Sequence, residues 1–205
     1  MTASYLALGD SYTIGEGVVP DDRWPVQLVS ALHARGISIE APVIIAQTGW
    51  TTEELLATLD ALPTDAGRDF ALVSLLIGVN DQYRGLESKT FHVNFDRLLS
   101  RAITHAAGNA AHVLVVSIPD WSVTPFASRD WRSREVIARD IDAFNRQLRL
   151  RAVTTGARFV DITACSRCAA DDPALLAGDG LHPSAAMYRQ WAAIALPEAV
   201  AALDN

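Results

Sequence analysis

The sequence predicts an α/β domain built on a parallel, doubly wound sheet. Two observations predict it. Five short runs are apolar almost throughout rather than at alternate positions, and segments with helical periodicity fall between them. A strand that is apolar on both faces must be covered on both, and helices in the connections supply the cover. The resulting arrangement is a three-layer α/β/α domain, in which ligands sit beyond the carboxyl ends of the strands.

Each element has its own signal. Residues 5–8 (YLAL) are the first predicted strand. Residues 24–35 read as an amphipathic helix, with Val26, Leu28, Val29 and Leu32 in its pattern and Gly36 as its stop. Residues 43–46 (VIIA) are a short β-branched strand. A Thr-Thr-Glu-Glu start opens a helix over 52–62, closed before Pro63. Residues 70–77 (FALVSLLI) are the third strand and 91–107 the next helix. The fourth strand is 112–118 (HVLVVSI), ended by Pro119. The longest helix spans 134–155, the fifth strand 158–162 (RFVDI), and a closing helix 185–203. Residues 119–133 form the longest stretch without a pattern and carry Trp121, Phe126 and Trp131. Loops of that length often line or cover sites.

Composition bounds the function. At 205 residues the chain suits one domain, 1–205, with a substantial core. The net charge of -7 argues against nucleic-acid binding, which needs clustered cations. Of 17 basic residues, 16 are Arg; many lie between 129 and 151, mixed with acids, and read as a solvated helix face. No apolar run approaches membrane-spanning length and no leader pattern precedes the first strand, so a cytoplasmic location is expected. Cys165 and Cys168 form a C-x-x-C. With no second ligand pair for zinc, they read as incidental thiols in a loop.

The chemistry-bearing residues cluster after the predicted strands. Ser11 follows the first strand in Gly9-Asp10-Ser11, a place where a turn or helix cap also fits. Of five histidines, His33, His92, His105 and His112 sit on helices or at a strand start, whereas His182 lies in Gly178-Asp179-Gly180-Leu181-His182-Pro183. On a tight turn, Asp179 can reach the imidazole Nδ1 and leave Nε2 as a base. A helix-entry loop with an Asp cap gives the same pattern. A serine, a histidine and an aspartate on one sheet edge would make a nucleophilic triad. The G-x-S-x-G elbow is absent, so such a triad belongs to another lineage. Acyl transfer also needs donors at the developing oxyanion. The N–H groups of Ser11 and Gly49 and the amide of Asn80 are candidates, each with a turn role as its plain alternative.

Four stretches resemble, in order, the blocks of the SGNH hydrolase family, the GDSL-like esterases and lipases. They are Gly9-Asp10-Ser11-Tyr12, Gly49, Gly78-Val79-Asn80-Asp81 and Asp179-Gly180-Leu181-His182-Pro183. Tyr12 stands where many members have Leu. The resemblance implies Ser11 as nucleophile, His182 as base and acid, and Asp179 as its orienting carboxylate. It implies an oxyanion hole from Ser11, Gly49 and Asn80, a flavodoxin-like strand order 2-1-3-4-5, and no metal or cofactor. The implied reaction is hydrolysis of a small-molecule ester with a small to medium acyl group. Trp50, Trp121 and Phe126 are candidates for the substrate wall. A non-catalytic carbohydrate- or acyl-binding module, a transacylase with the same triad, and a flavin or nucleotide protein are the other readings. Against the last, Asp10 and Glu16 in the first loop would repel phosphate.

Overall fold

Apolar residues on both sides of a strand force it into the middle of a sheet. The computed structural model describes residues 3–61 and 69–204. The chain runs β1 (Tyr5–Gly9), α1 (Ser11–Ile14), α2 (Trp24–His33), β2 (Val43–Ala46), α3 (Thr52–Ala61), β3 (Leu72–Leu76) and α4 (Val79–Tyr83). It continues through α5 (Ser88–His105), β4 (Val113–Val116), α6 (Arg134–Thr155), β5 (Arg158–Val160), α7 (Thr163–Arg167) and α8 (Ala185–Leu203). The strands form one parallel sheet in the order β2-β1-β3-β4-β5. β1, β3 and β4 are wholly buried, whereas the edge strands β2 and β5 are partly exposed.

Helices α2 and α8 pack together on one face of the sheet. Helices α3, α5 and α6 cover the other, with the Phe91 and Phe144 rings joining α5 to α6 at 4.5 Å. Local chemistry sets the helix ends. Thr51 and Glu54 form a reciprocal capping box on α3: each side chain accepts the other's backbone N–H, at 2.7 and 3.3 Å. Ser133 caps α6, and Gly156 ends it in the left-handed conformation.

Register places the site. Gly9 pairs with Ala46 on one side and Leu76 on the other, so β1, β2 and β3 end level. The loops that follow them lie side by side on the carboxyl edge.

Several boundaries differ from the sequence reading. The four- and five-residue helices α1, α4 and α7 were not anticipated. One turn is too short to display a helical period. Helix α5 begins at Ser88, before residue 91. The anticipated end of α3 at Leu62 and Pro63 lies outside the described residues. Cys165 lies in α7 and Cys168 opens the 3-10 turn after it, which corrects their placement in a loop; both are free thiols. The stretch 129–151 is not simply a solvated face either: the Arg132 side chain is only 9% exposed and bonded to Asp130. Among the described residues, no helix is long and apolar enough to cross a membrane.

Candidate active site

Ser11 sits where β1 stops and α1 begins. Asp10 is the N-cap: its Oδ1 accepts the Tyr12 N–H at 3.0 Å, and its carbonyl accepts those of Thr13 and Ile14. Gly15, in the left-handed conformation, closes the helix after one turn. Ser11 is therefore the first residue of a helix, where a backbone N–H has no intrahelical acceptor. A helix cap is present in this stretch, but Asp10 supplies it rather than Ser11.

His182 is held by a compact loop before α8. Ala177 donates its N–H to the His182 carbonyl at 2.7 Å, and Gly180 donates back to Ala177 at 3.1 Å. The Asp179 Oδ1 accepts the N–H groups of Leu181 and His182 at 2.9 and 3.0 Å. Its other oxygen meets His182 Nδ1 at 2.6 Å. That bond places the proton on Nδ1 and leaves Nε2 as the acceptor. Ser11 and His182 line one cavity, with no direct hydrogen bond between their side chains. Such bonds often tighten only when substrate is present.

The donors converge on the same cavity. Gly49 adopts φ +84, a conformation that favours glycine. The N–H groups of Ser11 and Gly49 have no hydrogen-bond acceptor among the described residues. Arg84 bonds the Gly49 carbonyl at 2.6 Å and fixes the orientation of that loop. Asn80 follows Gly78, whose φ of +122 and position against the Phe91 ring exclude a side chain. Asn80 Nδ2 donates one N–H to the Trp50 carbonyl at 2.9 Å, leaving the second free. Asp81 accepts both the N–H and the hydroxyl of Thr52, at 2.9 and 2.6 Å, tying α4 to the start of α3.

The cavity holds about 140 Å³. Val79, Tyr83, Trp121, Phe126 and Leu181 supply its apolar wall. Of the three aromatic candidates for a substrate wall, Trp121 and Phe126 line this cavity. Trp50 does not line the cavity; its contribution is the carbonyl that holds Asn80. Trp131 points away and is 92% exposed. Tyr83 was missed, although it follows Val79 by one helical turn and so shares its face.

The two aspartates flanking the reacting groups are in opposite states. Burial pushes the Asp10 carboxyl up to about 8; the Tyr12 N–H opposes this and the Asp81 carboxylate adds to it. Burial also acts to raise Asp179, but the His182 ring and the two backbone N–H donors outweigh it and hold Asp179 below the ordinary range. Tyr12 packs its ring 5.2 Å from that of His182 and 6.0 Å from that of Trp191. Among the described residues, no group of three or more His, Cys, Asp or Glu side chains is placed to hold a metal ion.

The fold recurs in solved structures. TesA superposes with a TM-score of 0.72 at 24% identity, over 95% of this chain and 97% of its own. The psychrotrophic esterase EstA from Pseudoalteromonas sp. superposes with a TM-score of 0.73 at 19% identity, over 98% and 99%. Axe2, an acetylxylan esterase from Geobacillus stearothermophilus, gives 0.69 at 21% identity, over 96% and 94%. No curated protein sequence matches the chain. A family profile matches residues 7–190, from within β1 to within α8 and across all four blocks of the cavity, and by it the chain belongs to the GDSL-like Lipase/Acylhydrolase family of carboxylic ester hydrolases.

Proposed function

We propose that the chain hydrolyses carboxylic esters of short acyl groups through an acyl-enzyme on Ser11. The observation that carries this reading is the 2.6 Å bond from Asp179 to His182 Nδ1, on a ring that lines one cavity with Ser11. His182 Nε2 takes the Ser11 proton as Oγ attacks the ester carbonyl. Negative charge develops on the carbonyl oxygen, and the N–H groups of Ser11 and Gly49 with the Asn80 amide stabilise it. His182 then returns the proton to the departing alcohol. Water attacks the acyl-enzyme by the same route and releases the acid. Asp179, held ionised, stabilises the imidazolium formed at each step.

Cavity size supports a short acyl group. Its volume of about 140 Å³ is near the roughly 150 Å³ of engineered cavities that accept one benzene. The apolar wall then suits chains of up to about six carbons, benzene's own carbon count.

EstA is described as inhibited by monoethylphosphonate, and the same class of reagent tests the nucleophile here. A phosphonate ester should label wild-type protein at Ser11 and leave Ser11→Ala unlabelled. Turnover of p-nitrophenyl butyrate should fall by at least about 10⁴-fold in the same variant. Retained labelling in Ser11→Ala would assign the nucleophile elsewhere.

A further inference from the structure

We propose that Arg132 is a specificity-determining positioning residue, which sets the depth of the acyl pocket by fastening its aromatic wall to α4. The proposal rests on the ester hydrolase reading above.

The Arg132 side chain is largely covered although it lies in an irregular segment, and each nitrogen of its guanidinium is engaged. Nε and Nη2 grip the Asp130 carboxylate, each at 2.9 Å, and the Arg132 N–H adds a third bond at 2.8 Å. Nη1 donates to the Gln82 carbonyl at 3.1 Å, and Nη2 to that of Tyr83 at 3.0 Å. Those carbonyls end α4, where intrahelical donors are lacking and a cation is favoured. The guanidinium also lies 5.5 Å from the centre of the Trp121 ring. Asp130 and Arg132 are 7% and 9% exposed, so this pair is shielded from solvent.

The wall depends on that clamp. Trp121 donates its Nε1–H to Gln82 Oε1 at 2.8 Å. Its ring meets Tyr83 edge-on at 5.3 Å and Phe126 at 6.1 Å, and Tyr83 meets Phe126 at 5.8 Å. Two of these rings come from the loop after β4 and one from α4, so they form a closed wall only while loop and helix stay docked. The loop is also held at Asp120, whose N–H donates to Ser166 Oγ at 2.9 Å and whose carboxylate accepts from Arg167 at 2.8 Å, and at the Phe126 N–H, which donates to the Gly180 carbonyl at 3.2 Å; the contacts to α4 are those of Arg132 and Trp121. Asn80 lies on the same helix, but the Trp50 carbonyl and the bonds between Asp81 and Thr52 anchor that end of α4 without Arg132, so loosening Arg132 should open the pocket without dismantling the oxyanion donors.

The test is a p-nitrophenyl ester series, acetyl to decanoyl, on wild type, Arg132→Ala and Arg132→Lys. Lysine keeps the charge but lacks the fork that reaches a carboxylate and two carbonyls together. Wild type should lose kcat/KM steeply beyond about six carbons. In Arg132→Ala the octanoyl-to-acetyl ratio of kcat/KM should rise at least about tenfold, through KM for the long ester, within the range that pocket fit commands. Acetyl kcat should stay within about threefold, and Arg132→Lys should follow Arg132→Ala rather than wild type. Thermal unfolding checks that each variant is folded, and Arg132→Lys carries the test if Arg132→Ala is not. An equal loss at every chain length would overturn the proposal, since that marks a residue that only stabilises the fold. Failure of the hydrolase reading looks different: wild type would turn over no ester and take no phosphonate on Ser11, and the proposal would fall with it.

Discussion

A second cavity, between α6, β5 and α7, is larger than the one that Ser11 and His182 line, at about 230 Å³ against about 140 Å³. It is lined by Asp142, Arg146, Arg149, Asp161 and Arg167 beside Phe159. Four of these five charges pair: Arg149 meets Asp161 at 2.9 Å and Arg167 meets Asp142 at 2.7 Å. In the cavity lined by Ser11 and His182 the polar groups are held from behind and left open in front. Among the described residues, Asn80 is anchored by one N–H with the other free, His182 is bonded at Nδ1 with Nε2 free, and the Ser11 and Gly49 amides have no acceptor. Chemistry is therefore marked less by volume or charge density than by bonding capacity that the fold orients and leaves unused.

Removing one of those open groups gives the largest effect the contrast predicts. Asn80→Ala should lower kcat by roughly 10²–10³, the usual cost of one oxyanion donor, with a much smaller change in KM. The measurement is steady-state kinetics on the best short ester. A kcat within a few-fold of wild type would mean that the free Asn80 N–H meets no developing charge, and the contrast between the cavities would lose its meaning.

A buried, half-satisfied carboxyl offers a second way to test the contrast. Asp10 Oδ2 is buried without a partner, unlike the paired carboxylates of the other cavity. The folded chain keeps the Asp10 proton up to about pH 8, whereas the unfolded chain releases it near the ordinary value of about 3.9. Between these values the native state binds more protons, so stability must fall as pH rises. Asp10→Asn keeps an acceptor for the Tyr12 N–H and removes the titration. From pH 4 to pH 8 its melting temperature should gain on that of wild type by about 5 °C or more. A constant difference across that range would show that Asp10 is ionised in the native state.

Much of this site was legible because acyl transfer restricts residue types at strand ends. Ser11, Gly49 and Asn80 were singled out because each follows an apolar run, and Asp179 and His182 because they share a glycine-containing loop before the last helix; Ser11, Gly49, Asn80 and His182 line one cavity, and Asp179 bonds to His182. The strand order followed from the family resemblance and the strands from their apolar runs. What stayed hidden depends on side-chain direction. Trp50 adjoins Gly49 in sequence, yet it does not line the cavity, because chain neighbours need not share a face. Tyr83 entered the wall through α4, whose five residues are too few to show a period. Arg132 was read with its neighbours as surface, since only the folded loop brings it to Asp130 and the end of α4.

The smallest predicted effect belongs to the charged cavity. Arg149 and Asp161 are each about half exposed, at 56% and 50%, so water screens their attraction and the pair is worth at most about 1 kcal/mol. The Arg149 guanidinium also lies 4.5 Å from the Phe159 ring centre, a contact of similar modest value at an exposed place. Arg149→Ala should therefore lower the melting temperature by no more than about 4 °C. It should leave kcat/KM on short esters within about twofold, because surface changes far from the reacting groups perturb little. Ester kinetics beside a melting curve decides the matter. A tenfold loss of turnover in a folded Arg149→Ala protein would tie the larger cavity to the reaction after all, and paired charges could then no longer be read as closed to chemistry.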